Sequence, residues 1–298
     1  MSVKHPIIAV TGSSGVKRDS VRKIFNQIFR REGVLAAFVA GESFHKYSRT
    51  EMKKAVAEAA AKGNFDLSHF GPEANVFGEL ENLYRSYGEN GTGQRRIYLH
   101  TDEEAEAFSD LGLKPGDLTP WEDMPPDTDC LVYEGLHGWV KSGDVALEPL
   151  TDLRVGMVPI INLEWIQKID RDTKMRGYST EAVVDTMLRR MHDYVHYVIP
   201  QFKRSDINFQ KVPVVDTSYP MIAREVPSDD ECMVVIRFRK PEEFGVDFPF
   251  LLRELKNSWM SRRNTIVVQG GKMNMAMELI LTPIVRDLMA KRKKALAS

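Results

Sequence analysis

The opening of this chain constrains its fold more than any other stretch. Residues 6–11, Pro-Ile-Ile-Ala-Val-Thr, form a continuous apolar run that breaks into Gly12-Ser13-Ser14-Gly15. A short run of this kind ending at glycine reads as a buried strand feeding a tight turn. Val21, Ile24, Phe25, Ile28 and Phe29 then recur at helical spacing, Asp19 or Ser20 can cap the start, and Gly33 can end the helix in the left-handed region. Residues 34–40 supply a second apolar strand. Strand, glycine turn, helix and strand make a right-handed parallel crossover, and ligands of such sheets sit beyond the strand carboxyl ends. The pattern predicts an α/β fold with a mostly parallel sheet, flanking helices and an antiparallel edge, in one domain over residues 1–298.

The rest of the chain fills in that plan. Residues 51–62 and 72–87 read as helices, residues 88–93 as a flexible turn, and 129–134 and 153–161 as buried strands. Helices are expected at 163–175 and 180–198, the second stopped by Pro200, and strands at 212–217, 233–239 and 265–268. A last helix, from Met273 to about Ala295, carries Pro283 and is expected to bend there.

Composition excludes several classes. Lys plus Arg number 41 against 42 Asp plus Glu, so any anion site is local, and no basic domain suggests nucleic acid. Two cysteines, Cys130 and Cys232, are too few for a disulfide framework, and no Cys/His spacing suggests a zinc site. No apolar stretch reaches the roughly 18 residues of a membrane span. A cytoplasmic location is expected.

Several segments carry a resemblance: residues 10–15, Gly41-Glu-Ser-Phe-His-Lys-Tyr-Ser-Arg49, Tyr133-Glu-Gly-Leu-His-Gly138, residues 162–172 from Asn162-Leu-Glu-Trp, Arg189-Arg-Met-His192, and Ile199-Pro-Gln-Phe202 with residues 212–217. In this order they resemble the bacterial phosphoribulokinases of the phosphoribulokinase/uridine kinase family. The resemblance implies a P-loop kinase-like fold that transfers the γ-phosphate of MgATP to the 1-hydroxyl of ribulose 5-phosphate. It also implies a homo-oligomer activated by NADH. The plant-type enzymes' redox cysteines near the phosphate loop have no counterpart here.

By the same resemblance, residues 12–20, Gly12-Ser13-Ser14-Gly15-Val16-Lys17-Arg18-Asp19-Ser20, correspond to the nucleotide loop. A phosphate cradle needs backbone N–H groups aimed at the anion and glycines where a Cβ would block it. The family pattern is Gly-Ser-Ser-Gly-Ala-Gly-Thr-Ser/Thr-Thr. Here Lys17 replaces the second glycine, Arg18 stands at a threonine, and Asp19 takes the hydroxyl position that binds Mg²⁺. Asp19 reads either as an ordinary helix cap or as part of a weakened nucleotide site.

The remaining roles are also carried over. Glu42 stands at the base position, where the family has an aspartate, and Lys168, Asp172 and Glu134 at further catalytic positions. Glu134 and Asp172 stand at metal-associated positions, and His45, Arg49, His100, His137, Arg171, Arg176, Arg189 and Arg190 at substrate positions. Arg31, Arg237 and Arg262 lie in the NADH-responsive segments. Phosphoryl transfer to an alcohol calls for a carboxylate at the nucleophile and cations on the moving group, so these residue types suit the reaction. A catalytically impaired regulatory subunit that binds sugar phosphate or NADH is the reading of a different class, and another small-molecule P-loop kinase a third.

Replacing Lys17→Gly, Arg18→Thr and Asp19→Thr together should raise MgATP affinity about tenfold, equivalent to about 1.4 kcal/mol. Adding Glu42→Asp should raise turnover further. Equal ADP release by the natural and changed chains at saturating ribulose 5-phosphate would make Lys17 and Arg18 a working cradle instead of a defect.

Overall fold

A computed structural model describes residues 3–12, 18–222 and 225–297, the side chains of residues 18–20 excepted. Strand β1, Ile7–Gly12, is flanked in parallel by β3, Cys130–Gly135, and β4, Leu153–Val158. Outside β3 lies β2, Ala36–Ala40, again parallel, and outside β4 lies β5, Ile207–Pro213, also parallel. The sheet continues antiparallel through β6, Cys232–Phe238, β8, Thr265–Gln269, and β7, Trp259–Arg262. The eight strands run β7-β8-β6-β5-β4-β1-β3-β2, the mostly parallel sheet with an antiparallel edge that the sequence predicts.

The apolar runs form central strands because both faces of the sheet are covered. Ile8 and Val10 of β1, with Val132 and Val155, face a layer of two helices: α1, Arg18–Glu32, supplies Ile24, Phe25 and Ile28, and the final helix supplies Met277, Ile280 and Ile284. Ile7 and Ala9 point the other way, with Leu131 and Tyr133, onto α3, Phe77–Asn90, through Leu80, Leu83, Tyr84 and Tyr87. The period-2 alternation of a strand thus builds two cores from one unbroken apolar stretch. Helix α2, Arg49–Ala61, opens with a capping box between Ser48 and Glu51. Helix α4, Ile161–Arg176, ends at Gly177, whose φ of 69° suits glycine, and α5 spans Thr180–Arg189.

Several boundaries differ from expectation. Helix α1 begins at Arg18, so Asp19 and Ser20 lie inside its first turn and not at its cap. Helix α3 runs through the expected turn at 88–93 as far as Asn90, with Gly91 closing it at φ 71°. The strand expected at 212–217 is instead β5, Ile207–Pro213, whose apolar Ile207 and Phe209 are interleaved with Asn208 and Gln210 and so gave no continuous run. The helix expected over 180–198 breaks after Arg189; a π-helical turn, Tyr194–Val198, follows, and Pro200 sits in the first turn of Ile199–Phe202. A proline is accepted there because first-turn N–H groups have no helical partner anyway. The final helix, α6, Met273–Ala297, runs through Pro283 as one element.

Asp206 joins the parallel and antiparallel parts. Its side chain, 4% exposed, takes the Arg154 backbone N–H at 2.9 Å, Nε at 3.0 Å and Nη2 at 2.9 Å, and Nη2 of Arg239 at 2.8 Å. Removing one partner of a buried pair strands the other. Asp206→Ala should therefore lower stability by about 3 kcal/mol, measured as a fall in the urea midpoint at unchanged slope. A loss under about 0.5 kcal/mol, as for an exposed pair, would contradict it.

Candidate active site

The turns after β1, β2 and β3 approach so closely that side chains are excluded between them. A Cβ on Gly41 would lie 2.5 Å from Tyr133 Oη and 3.0 Å from the Gly135 Cα. One on Gly12 would lie 2.6 Å from the Met157 Cβ, and one on Gly138 2.5 Å from Thr11 Oγ1. Two hydroxyls lock the β3 turn: Thr11 Oγ1 accepts the Gly138 N–H at 3.0 Å and Tyr133 Oη the His137 N–H at 3.1 Å. Parallel register aligns Val10 and Ala40 with Glu134, so Glu134 and the next residue but one after Ala40, Glu42, reach the same cavity.

That cavity brings together six residues singled out in the sequence: Gly12, Glu42, His45, Glu134, His137 and Arg190. Also lining it are His69, which has no support from the resemblance and reads from the sequence as a structural histidine, and Phe70, which sequence reasoning missed. His69 stacks on His45 with ring centroids 4.1 Å apart and planes at 22°. Burial, followed by the positive field of His45 and Arg190, pushes His69 down to about 2, so its imidazole is neutral. His137 bonds the Phe70 carbonyl through Nε2 at 2.9 Å, and burial pushes it down to about 4. Only a loop without periodicity carries His69, so no pattern in the sequence pointed to it.

Beside the cavity lies a group of cations around one acid. Asp172, 3% exposed, is 2.5 Å from Lys168 Nζ, 2.9 Å from Arg171 Nε and 3.2 Å from Arg176 Nη1. The helical spacing of 168, 172 and 176 puts three of these on one face of α4. Burial raises the Asp172 carboxyl, but hydrogen bonds from Lys168 and Arg171 outweigh it and hold the group below its usual range. Lys168 is lowered to about 8 by burial and by Arg190, against the pull of Asp172. Arg190, with its guanidinium over the Phe70 ring at 5.1 Å, lines both the cavity and the adjoining cleft that holds Lys168 and Glu164.

Other expected residues lie elsewhere. Arg49 is exposed at the start of α2, its side chain against Gly116, and His100 is exposed beside Tyr98 at 5.0 Å. Arg189 pairs along α5 with Asp185 at 2.8 Å. Arg237 and Arg262 share one cleft, whereas Arg31 pairs with Glu278 of α6. Ser13, Ser14, Gly15, Val16 and Lys17, and the side chains of Arg18, Asp19 and Ser20, lie outside what the structure describes. Among the described residues, no three His, Cys, Asp or Glu side chains cluster as a metal site. Magnesium in kinases usually takes one or two carboxylates and completes its shell with water and phosphate oxygens, and the strand-end carboxylate Glu134 fits that demand.

A parallel sheet whose strand ends gather carboxylates, imidazoles and a guanidinium around one cavity defines an α/β protein with its site beyond the strand carboxyl ends. Residues 7–218 match the model of the Phosphoribulokinase / Uridine kinase family. The chain is 58% identical over 295 residues, 99% of each chain, to the chromosomal phosphoribulokinase of Cupriavidus necator. It is 53% identical to phosphoribulokinase 1 of Cereibacter sphaeroides, over 99% of this chain and 100% of the relative. The solved phosphoribulokinase from Rhodobacter spheroides superposes with a TM-score of 0.89 at 51% identity, over 98% of this chain and 100% of the other. The chain belongs to the phosphoribulokinase / uridine kinase family.

The buried neutral histidines set a pH dependence. Above about pH 6.5 His137 is uncharged in the folded and unfolded states alike. As pH falls towards about 4 the unfolded chain binds a proton that the folded chain refuses, so stability is lost on acidification. At about 1.4 kcal/mol per pH unit the loss reaches about 3 kcal/mol from His137. Chemical denaturation between pH 7 and 4 should show this fall, and His137→Gln should flatten it; an unchanged slope in that variant would refute the assignment.

Proposed function

We propose that this chain is a phosphoribulokinase, transferring the γ-phosphoryl group of MgATP to the 1-hydroxyl of ribulose 5-phosphate. The observation that carries the reading is the meeting of Glu42, Glu134 and Arg190 in one strand-end cavity of a chain 58% identical to a phosphoribulokinase along nearly its whole length. Glu42 accepts the proton of the attacking hydroxyl. Arg190 and Lys168 offset charge on the transferring group, and Asp172 fixes Lys168, Arg171 and Arg176 in place for the substrate phosphate. Glu134 would hold the magnesium ion, which when bound screens the phosphate charges. The neighbouring cleft, whose apolar side is formed by Val21, Met157, Ile160, Leu163, Met273 and Met277 and which shares Val21 and Met157 with the cavity, would take the adenosine.

The finer parts of the reading have narrower support. NADH as an activator draws on Arg237 and Arg262 lining one cleft with Lys203. A homo-oligomer would cover exposed apolar side chains such as Met175, Tyr219 and Ile222, 81%, 73% and 73% exposed. No helix among the described residues is long and apolar enough to cross a membrane. The regulatory-subunit reading is favoured by the substituted loop at Lys17, Arg18 and Asp19 and by Glu42 at the base position.

ADP release should depend on ribulose 5-phosphate, and its absence with the sugar present would leave the regulatory reading. Arg49→Ala should weaken ribulose 5-phosphate binding about tenfold with an unchanged melting temperature, since Arg49 is exposed and its N–H bond to the Gly116 carbonyl is main-chain. Unaltered affinity in a calorimetric titration would remove Arg49 from the substrate site.

A further inference from the structure

The segment Ser68-His69-Phe70-Gly71 is fixed by buried polar groups to a degree its lack of regular structure does not explain. Ser68 Oγ accepts the Phe70 N–H at 3.1 Å and donates to Asp193 Oδ2 at 2.6 Å. Asn75 Nδ2 donates to the carbonyls of His69 at 3.0 Å and Gly71 at 2.6 Å, and His137 bonds the Phe70 carbonyl. Ser68, Asn75, His137 and Asp193 are all at most 7% exposed. Gly71 packs directly on the Asp193 carboxylate, leaving no room for a side chain. The outcome of this bonding is a single placement of one ring, His69, in the cavity wall against His45. Its Nδ1 is shielded from solvent and finds no hydrogen-bond partner among the described residues. An orphaned buried polar atom is costly, so a partner beyond the described residues is called for.

We propose that His69 is a further substrate-contacting residue, hydrogen-bonding an uncharged hydroxyl at the reacting end of the sugar phosphate, and that Asp193 positions it through Ser68. This rests on the kinase reading above and adds to it. A hydroxyl both donates and accepts, so it satisfies Nδ1 in either tautomer, whereas a phosphate only accepts and is better met by the neighbouring cations. A neutral ring also suits a place beside Glu42, because a cation there would hold the base in its ionised form and weaken its pull on the proton.

The test uses the full chain with His69→Phe, which keeps the ring stack and removes the hydrogen bond, His69→Asn, which returns a polar atom near Nδ1, and Asp193→Asn. Expected for His69→Phe is a fall of about tenfold in kcat/KM for ribulose 5-phosphate, with KM for ATP within about twofold and the melting temperature unchanged. His69→Asn should recover most of that loss, and Asp193→Asn should show a smaller loss of the same kind. Unchanged sugar kinetics in His69→Phe would overturn the proposal, as would equal losses in His69→Phe and His69→Asn accompanied by a lower melting temperature. If the natural chain releases no ADP, the kinase reading has failed on its own, and calorimetric affinity for ribulose 5-phosphate, tenfold weaker in His69→Phe or not, decides the role of His69.

Discussion

Close packing of the turns beyond the parallel strands is the constraint on which the site depends. Gly41 and Gly135 meet at their Cα atoms with the Tyr133 hydroxyl between them, and Thr11 holds Gly138 by its N–H. Parallel strands differ little in height at their ends, so residues just beyond them are neighbours only if the turns come together. The absence of three Cβ atoms lets this happen, and the two carboxylates reach one cavity as a result. Tyr133 and Thr11 are wholly buried, so their hydroxyls act as fixed points for the backbone and not as solvated groups.

Electrostatics in the neighbouring layer follows from a different device. One carboxylate, Asp172, anchors three cations, and a fourth, Arg190, bridges to the cavity. Buried like charges would repel strongly without the central acid, and too much acid would cancel the field an anionic substrate needs. The arrangement leaves an excess of positive charge that is already organised before any ligand arrives, which is the condition for electrostatic catalysis at low reorganisation cost.

The sequence made the first crossover and the sheet class legible because those signals are local: an apolar run, a glycine turn, a helical period. Of the six cavity residues only Gly12, in the glycine turn, and Glu134, a strand-end acid, carry such a mark, and Glu42, His45, His137 and Arg190 were legible through the family resemblance alone. Strand β5 was misread since Asn208 and Gln210 alternate with its apolar residues, and the long helix after Thr180 since a π-turn leaves the 3.6-residue period nearly intact across 190–198. His69 was not legible for a physical reason. Its position is decided by Asp193, 125 residues from Ser68, and by His137, 67 residues from Phe70, and no window of sequence contains both ends of such a bond.

The irregular helical stretch after Arg190 has a consequence for how the molecule is made. Asp193 fastens the 68–71 segment, and Gln201, wholly buried, bonds the Leu136 carbonyl and the Trp139 N–H at 2.8 and 3.1 Å. On the ribosome both of those earlier loops emerge long before the residues that hold them. Neither can settle until roughly two thirds of the chain has been translated, whatever the first strands have already done. Assembly of the site is thus a late event of biogenesis, waiting on the residues that flank the π-helical turn on either side.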